Sequence, residues 1–143
     1  MWCLEKYENS VTMNPVFILS GKTLCIRRLR YPDLQHSYYD VMSLLSEVDR
    51  SILRTREILD SLENDYVYFV VEDIDTKMII GTGTIIITNT STNLSQMGYI
   101  ENIMIRKDYQ NIGLGNMILQ RMHSYCLDVR HCIKIIVNCD SNM

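Results

Sequence analysis

The chain has 143 residues, 47% of them hydrophobic and 22% charged, which is enough for one hydrophobic core and too few for two. A domain of this length needs neither metal nor disulfide staples to stand. Lys and Arg number 14 against 17 Asp and Glu, a formal charge of -3, so no basic field gathers nucleic acid or an anionic membrane, and a small molecule or another protein is the expected partner.

Cys3, Cys25, Cys126, Cys132 and Cys139 are odd in number and contain no Cys-x-x-Cys pair, which speaks against a zinc site or a disulfide framework. His36, His123 and His131 form no metal-ligand pair, and no metal is expected. The N-terminus lacks a basic stretch followed by an apolar run, and no apolar run reaches the length of a membrane span. A soluble, reduced, cytoplasmic protein is expected. Asn89-Thr90-Ser91 and Asn93-Leu94-Ser95 match the glycosylation sequon and are read as ordinary loop residues.

Residues 1–22 show no sustained period and read as an extension, with the domain proper spanning 23–143. Thr23 to Arg28 alternates as a strand, and Tyr31-Pro32-Asp33 supplies a turn with Asp33 as a helix N-cap. Leu34, Tyr38, Val41, Leu44, Leu45 and Val48 follow at helical spacing. Ser51 caps a second helix whose inner face is Ile52, Ile58, Leu59 and Leu62. The β-branched and aromatic run Tyr66 to Val71, a polar turn from Asp73 to Lys77, and Met78 to Thr88 form a hairpin. A loop over residues 89–96 leads to a strand from Tyr99 to Ile105. Gly113 to Val129 is a helix with the stripe Leu114, Ile118, Met122 and Cys126. Cys132 to Cys139 is the last strand. The order is that of an α/β (α+β) domain, a mixed and mostly antiparallel sheet flanked by helices.

Chemistry concentrates between Gly98 and Asn116, where a strand ends in a polar turn and Gly113-Leu114-Gly115 opens a helix. The first amides of a helix have no internal partner and carry the positive end of its dipole, so this is a cradle for an anion such as a pyrophosphate. It is not a nucleoside-triphosphate loop, because no Gly-Lys-Ser/Thr follows, and it lacks the third glycine of a dinucleotide fingerprint. A tight strand-to-helix turn would account for the two glycines equally well on spacing alone.

Gln110-x-x-Gly113-x-Gly115 after a strand, in this element order, resembles the acyl-CoA signature of the GCN5-related N-acetyltransferase (GNAT) superfamily. Gly98-Tyr99-Ile100-Glu101-Asn102-Ile103-Met104-Ile105, Tyr109-Gln110-Asn111-Ile112-Gly113-Leu114-Gly115 and His131-Cys132-Ile133-Lys134-Ile135-Ile136-Val137-Asn138-Cys139 are similar to segments of its glucosamine-6-phosphate N-acetyltransferase family, as is Ile26-Arg27-Arg28-Leu29 with Asp33. The resemblance implies that acetyl passes from acetyl-CoA to the amine of glucosamine 6-phosphate, a step toward UDP-N-acetylglucosamine. It implies a homodimer, with no nucleic acid or membrane partner.

By the same resemblance, the backbone of Ile103, Met104 and Ile105 pairs with the pantetheine arm, and Gln110, Asn111, Ile112, Gly113, Leu114, Gly115 and Asn116 hold the remainder of acetyl-CoA. Glu101 and Asn138 stand at the catalytic positions. Ser46, Glu101, Asn102, Ile133, Lys134 and Asn138 stand at substrate-binding positions. Two family aspartates are amides here, Asn102 and Asn138, and an amide cannot take up a proton at neutral pH. The family continues into a segment bearing a tyrosine that protonates the departing thiolate, whereas this chain stops at Met143, so a C-terminally short domain is expected. A weak acyl-CoA-binding module on the same fold, or an acetyltransferase for another amine, is the alternative.

Overall fold

Six strands, three α-helices and two short 3-10 turns account for the regular structure in the computed structural model, which describes residues 16–44, 51–62, 65–90 and 95–138. The strands are β1 (Val16–Leu19), β2 (Lys22–Arg28), β3 (Tyr66–Asp73), β4 (Met78–Asn89), β5 (Gln96–Ile105) and β6 (Lys134–Val137). They lie in one sheet in chain order. Each is antiparallel to its predecessor except β6, which runs parallel to β5. A parallel return needs a long crossover, and α3 (Leu114–Asp128) supplies it. The other helices are α1 (His36–Met42) and α2 (Ile52–Ser61).

Alternating residues send each central strand into two cores. Leu24, Ile26, Val67, Phe69, Ile85 and Ile100 face α3, which contributes its whole predicted stripe of Leu114, Ile118, Met122 and Cys126. Leu29, Val70 and Ile79 face the other way, onto Leu34, Tyr38, Tyr39 and Leu59. Two glycines let α3 approach closely. A Cβ on Gly83 would stand 2.6 Å from the Met122 sulfur, and one on Gly98 would stand 2.9 Å from the Cys126 sulfur.

Three local expectations are corrected. The sheet begins before Thr23, because Val16–Leu19 pairs with β2 through a turn at Ser20 and Gly21, both at positive φ (52° and 76°), the conformation of a tight hairpin. Its period is hidden because both faces of the strand are apolar: Phe17 and Leu19 pack on the core while Val16 and Ile18 are exposed. Asp33 does not cap α1, whose N-cap is Gln35. The carboxylate instead grips the buried Arg27 guanidinium through two 2.7 Å hydrogen bonds and accepts the Arg30 N–H at 2.7 Å. A guanidinium taken out of water needs its counter-charge more than a helix end needs a cap. In α2, Ser51 does cap, accepting the Arg54 N–H, but Ile52 and Ile58 are exposed. The helix docks through Leu59 and polar contacts on the same face: Tyr39 to Thr55, Arg56 over the Tyr31 ring, and Tyr31 to Asp60.

Candidate functional site

The site is organised by a fault in β5. Thr82 faces Met104 and Thr84 faces Glu101, so Gly83 alone stands opposite both Asn102 and Ile103. This is a β-bulge, and Asn102 takes the positive φ (55°) that the extra residue demands, a conformation that Asn tolerates better than most residues. The bulge shifts the strand's parity by one. Ile103 and Ile105 therefore pack on the same core as Ile100.

Before the bulge, β5 is partnered by β6. Pairing with β6 runs from Met97 to Ile100, and the last rung is the Asn138 N–H donating to the Ile100 carbonyl at 2.8 Å. Beyond it, Ile103 to Ile105 line a cleft of about 380 Å³ together with Leu44, Gln110, Asn111, Gly113, Leu114, Gly115 and Asn116. One wall is thus a strand edge that no described strand pairs with, and the other is the N-terminus of α3. Ile112 turns into the core instead.

The turn between these walls is held by its own bonds. Gln110 donates its side-chain amide to the Ile105 carbonyl at 2.8 Å, and the Tyr109 N–H donates to the Arg106 carbonyl at 2.8 Å. Asn111 and Gly113 take positive φ (63° and 86°). Gly113 is the N-cap of α3, and a Cβ there would meet no protein atom within 4 Å. Space inside the fold does not call for glycine at 113. Its backbone angle does, and the bare surface lies open toward the cleft. An extended chain bearing amides and ending in a pyrophosphate matches this shape: strand edge for the arm, helix amides for the phosphates. The residues present therefore fit acetyl-CoA.

A profile of the acetyltransferase (GNAT) family matches residues 30–143. The chain belongs to this family. It is an acetyltransferase by family, and GNAT acetyltransferases draw on acetyl-CoA. It is 24% identical over 124 residues to glucosamine 6-phosphate N-acetyltransferase of Arabidopsis thaliana, with 83% of each chain covered. The crystal structure of that Arabidopsis enzyme superposes with a TM-score of 0.72 at 24% identity, covering 85% of each chain. A Trypanosoma brucei acetyltransferase superposes with a TM-score of 0.75 at 23% identity, covering 83% of this chain and 84% of the other. At these identities the structural likenesses speak for the fold alone.

On the acceptor side of this GNAT domain the expected residues are only partly brought together. Glu101 is half-buried on β5, and the Asn102 amide donates to its Oε1 at 3.5 Å. Asn138, exposed, is held beside them by its bond to Ile100. Lys134 pairs with Met97 at the other end of β6, and Ile133 donates its N–H to the Gln96 carbonyl. At strand spacing, Lys134 is about 13 Å from Asn138. Within one chain these two therefore do not meet Glu101. Ser46 lies outside the described residues, as do Leu45, Val48, Cys3 and Cys139.

Leu44 is the lining residue that the sequence did not point to. Leu44 was read as a core residue of a longer helix, yet it is exposed after α1 ends and lines the cleft. A signal for the bulge was present in Ile100, Ile103 and Ile105, whose spacing breaks strict alternation by one residue. Among the described residues no helix is long and apolar enough to cross a membrane, and no cluster of three His, Cys, Asp or Glu is placed to hold a metal.

Proposed function

We propose that this acetyltransferase transfers acetyl to the amine of glucosamine 6-phosphate, with Glu101 as the proton acceptor. The observation that carries the reading is the juxtaposition at the end of the β5–β6 pairing. There an acid, Glu101, stands one residue before a bulge whose open edge faces the α3 amides. The similarity to the Arabidopsis enzyme supports the acceptor.

In this mechanism the amine, once Glu101 has freed it of its extra proton, attacks the thioester carbonyl, and a main-chain amide on the β5 edge stabilises the oxyanion. Collapse breaks the C–S bond, and the thiolate that leaves takes up, through water, the second proton shed by the amine nitrogen as it becomes an amide. The attacking amine is protonated at neutral pH and must lose a proton, which Glu101 takes directly or through water. Asn102 and Asn138 orient through hydrogen bonds and do not carry protons. Attack is direct, with no covalent enzyme intermediate.

The phosphate needs a cation, and Lys134 of the same chain is too far along β6 to supply it. Ile133, just before β6, and Val137, at its end, are exposed. Antiparallel pairing of two copies across the outer edge of β6, centred between Ile135 and Ile136, would set Lys134 of one copy level with Val137 of the other. We therefore favour a homodimer whose acceptor site is shared.

Mixing the purified chain with acetyl-CoA and glucosamine 6-phosphate should release thiol in step with acetylated sugar. Glu101→Gln should lower kcat about 100-fold without changing CoA affinity. Thiol release with a different amine and none with the sugar phosphate would redirect the acceptor. CoA binding without turnover on any amine would favour an acyl-CoA-binding module, the reading that the two amides in place of acids support.

A further inference from the structure

The cradle before α3 is an exposed turn: Lys107, Asp108, Gln110, Asn111 and Gly113 all face solvent. Its amides hold an anion well only if they already point the right way, because a turn that orders on binding subtracts its entropy from the affinity. One residue of the turn is buried, Tyr109, at 7% exposure. Its hydroxyl donates at 2.5 Å to Oδ2 of Asp73, a carboxylate from the end of β3 that is itself 4% exposed. The other oxygen, Oδ1, accepts the Asp75 and Thr76 N–H groups at 3.0 and 3.4 Å. The carboxylate is thus immobilised by the β3–β4 turn before it meets the phenol.

From β2, Lys22 completes the clamp. Its ammonium stands 3.9 Å above the Tyr109 ring and donates to the Asp108 carbonyl at 3.2 Å. The ring is therefore held at its face and at its hydroxyl. A phenylalanine beside an apolar partner would fill the same core without burying a charge, and such replacements are near neutral or stabilising. What the buried pair adds over packing is direction, since a hydrogen bond fixes where the ring points and an apolar contact does not.

We propose that Asp73 and Tyr109 are positioning residues for acetyl-CoA. Through them the β3–β4 turn presets the amides of residues 111–116, so that the pyrophosphate meets an ordered cradle. This inference rests on the reading that those amides hold the pyrophosphate. At neutral pH the Tyr109 phenol is a standing donor, because burial and the Asp73 carboxylate push it up to about 12.

The test is calorimetric titration of the full chain with CoA, paired with acetyl-CoA and glucosamine 6-phosphate kinetics. Tyr31→Phe is the matched control. It too removes a phenol bonded to a carboxylate, Asp60, but on the opposite face of the sheet. Tyr109→Phe should weaken CoA binding and raise KM for acetyl-CoA about tenfold, with kcat at saturation and KM for the amine unchanged. Tyr31→Phe should leave all of these in place while lowering Tm by a similar amount. Asp73→Asn, which keeps an acceptor oxygen, should lose less affinity than Asp73→Ala. CoA affinity in Tyr109→Phe equal to that of Tyr31→Phe would overturn the positioning role alone. Absence of CoA binding by the unaltered chain, or binding that survives Gly113→Val, would overturn the cradle reading beneath it.

Discussion

The two sides of the cleft are built by different means. On the side proposed for acetyl-CoA the contacts on offer are main-chain groups: the β5 edge past the bulge and the first turn of α3, held by Gln110, Tyr109 and the angles of Asn111 and Gly113. On the acceptor side they are side chains, Glu101, Asn102 and Asn138, with Lys134 at the far end of a four-residue edge strand. A main-chain site tolerates substitution of most side chains but not of the residues that set backbone angles. A side-chain site behaves in the opposite way. On the proposed reading, acetyl-CoA would be met by backbone geometry and the acceptor by the chemistry of a few side chains.

This contrast breaks most visibly at Gly113. Valine there forces a β-branched residue into φ 86° and sets its side chain into the cleft. Strain alone costs about 1–2 kcal/mol, and CoA affinity measured by calorimetry should fall at least about 30-fold. If CoA binds Gly113→Val normally, the cleft is not its site.

A smaller effect is expected across the cleft, from Lys134→Ala. If the phosphate is met by a second copy's lysine, KM for glucosamine 6-phosphate should rise about tenfold, while KM for unphosphorylated glucosamine and for acetyl-CoA stays unchanged. A chain that sediments as a monomer yet loses sugar-phosphate affinity in this variant would contradict the shared site.

The smallest effect concerns the support under both sides, where α3 meets Gly98 of β5. Burial, and then the neighbouring Cys132, pushes the Cys126 thiol up to about 12 from an ordinary 9.0. Below pH 9.0 the thiol is protonated whether the chain is folded or not. Between 9.0 and about 12 only the unfolded chain releases the proton, so stability drains away as pH rises through that window. Tyr109 adds the same trend between 10.0 and about 12. Tm should therefore fall on the alkaline side, and Cys126→Ala, though less stable at pH 8, should show a shallower decline. An unchanged alkaline slope in that variant would assign the titration elsewhere.

Legibility followed the range of the forces involved. The α3 stripe was readable because helical spacing and burial coincide at Leu114, Ile118, Met122 and Cys126. The turn that opens α3 was readable because glycines before a helix leave a local signature. Val16–Leu19 was missed because an edge strand with two apolar faces has no alternation to read. Asp33 misled because a capping residue and an ion-pair partner look alike until Arg27 is known to be buried. Ile52 and Ile58 misled because α2 docks through polar and aromatic contacts that hydrophobic spacing does not count.

Local chemistry therefore marked most of the element types, the glycine turn before α3 and the place of Glu101 on β5, since each depends on residues a few positions apart. Folding decided the remainder: that β5 carries a bulge opposite Gly83, that Lys134 stands away from Glu101, and that Asp73 reaches Tyr109 across 36 positions of chain. Those outcomes depend on strand register and on which charges are buried together, and such long-range competition leaves no mark in a stretch of neighbouring letters.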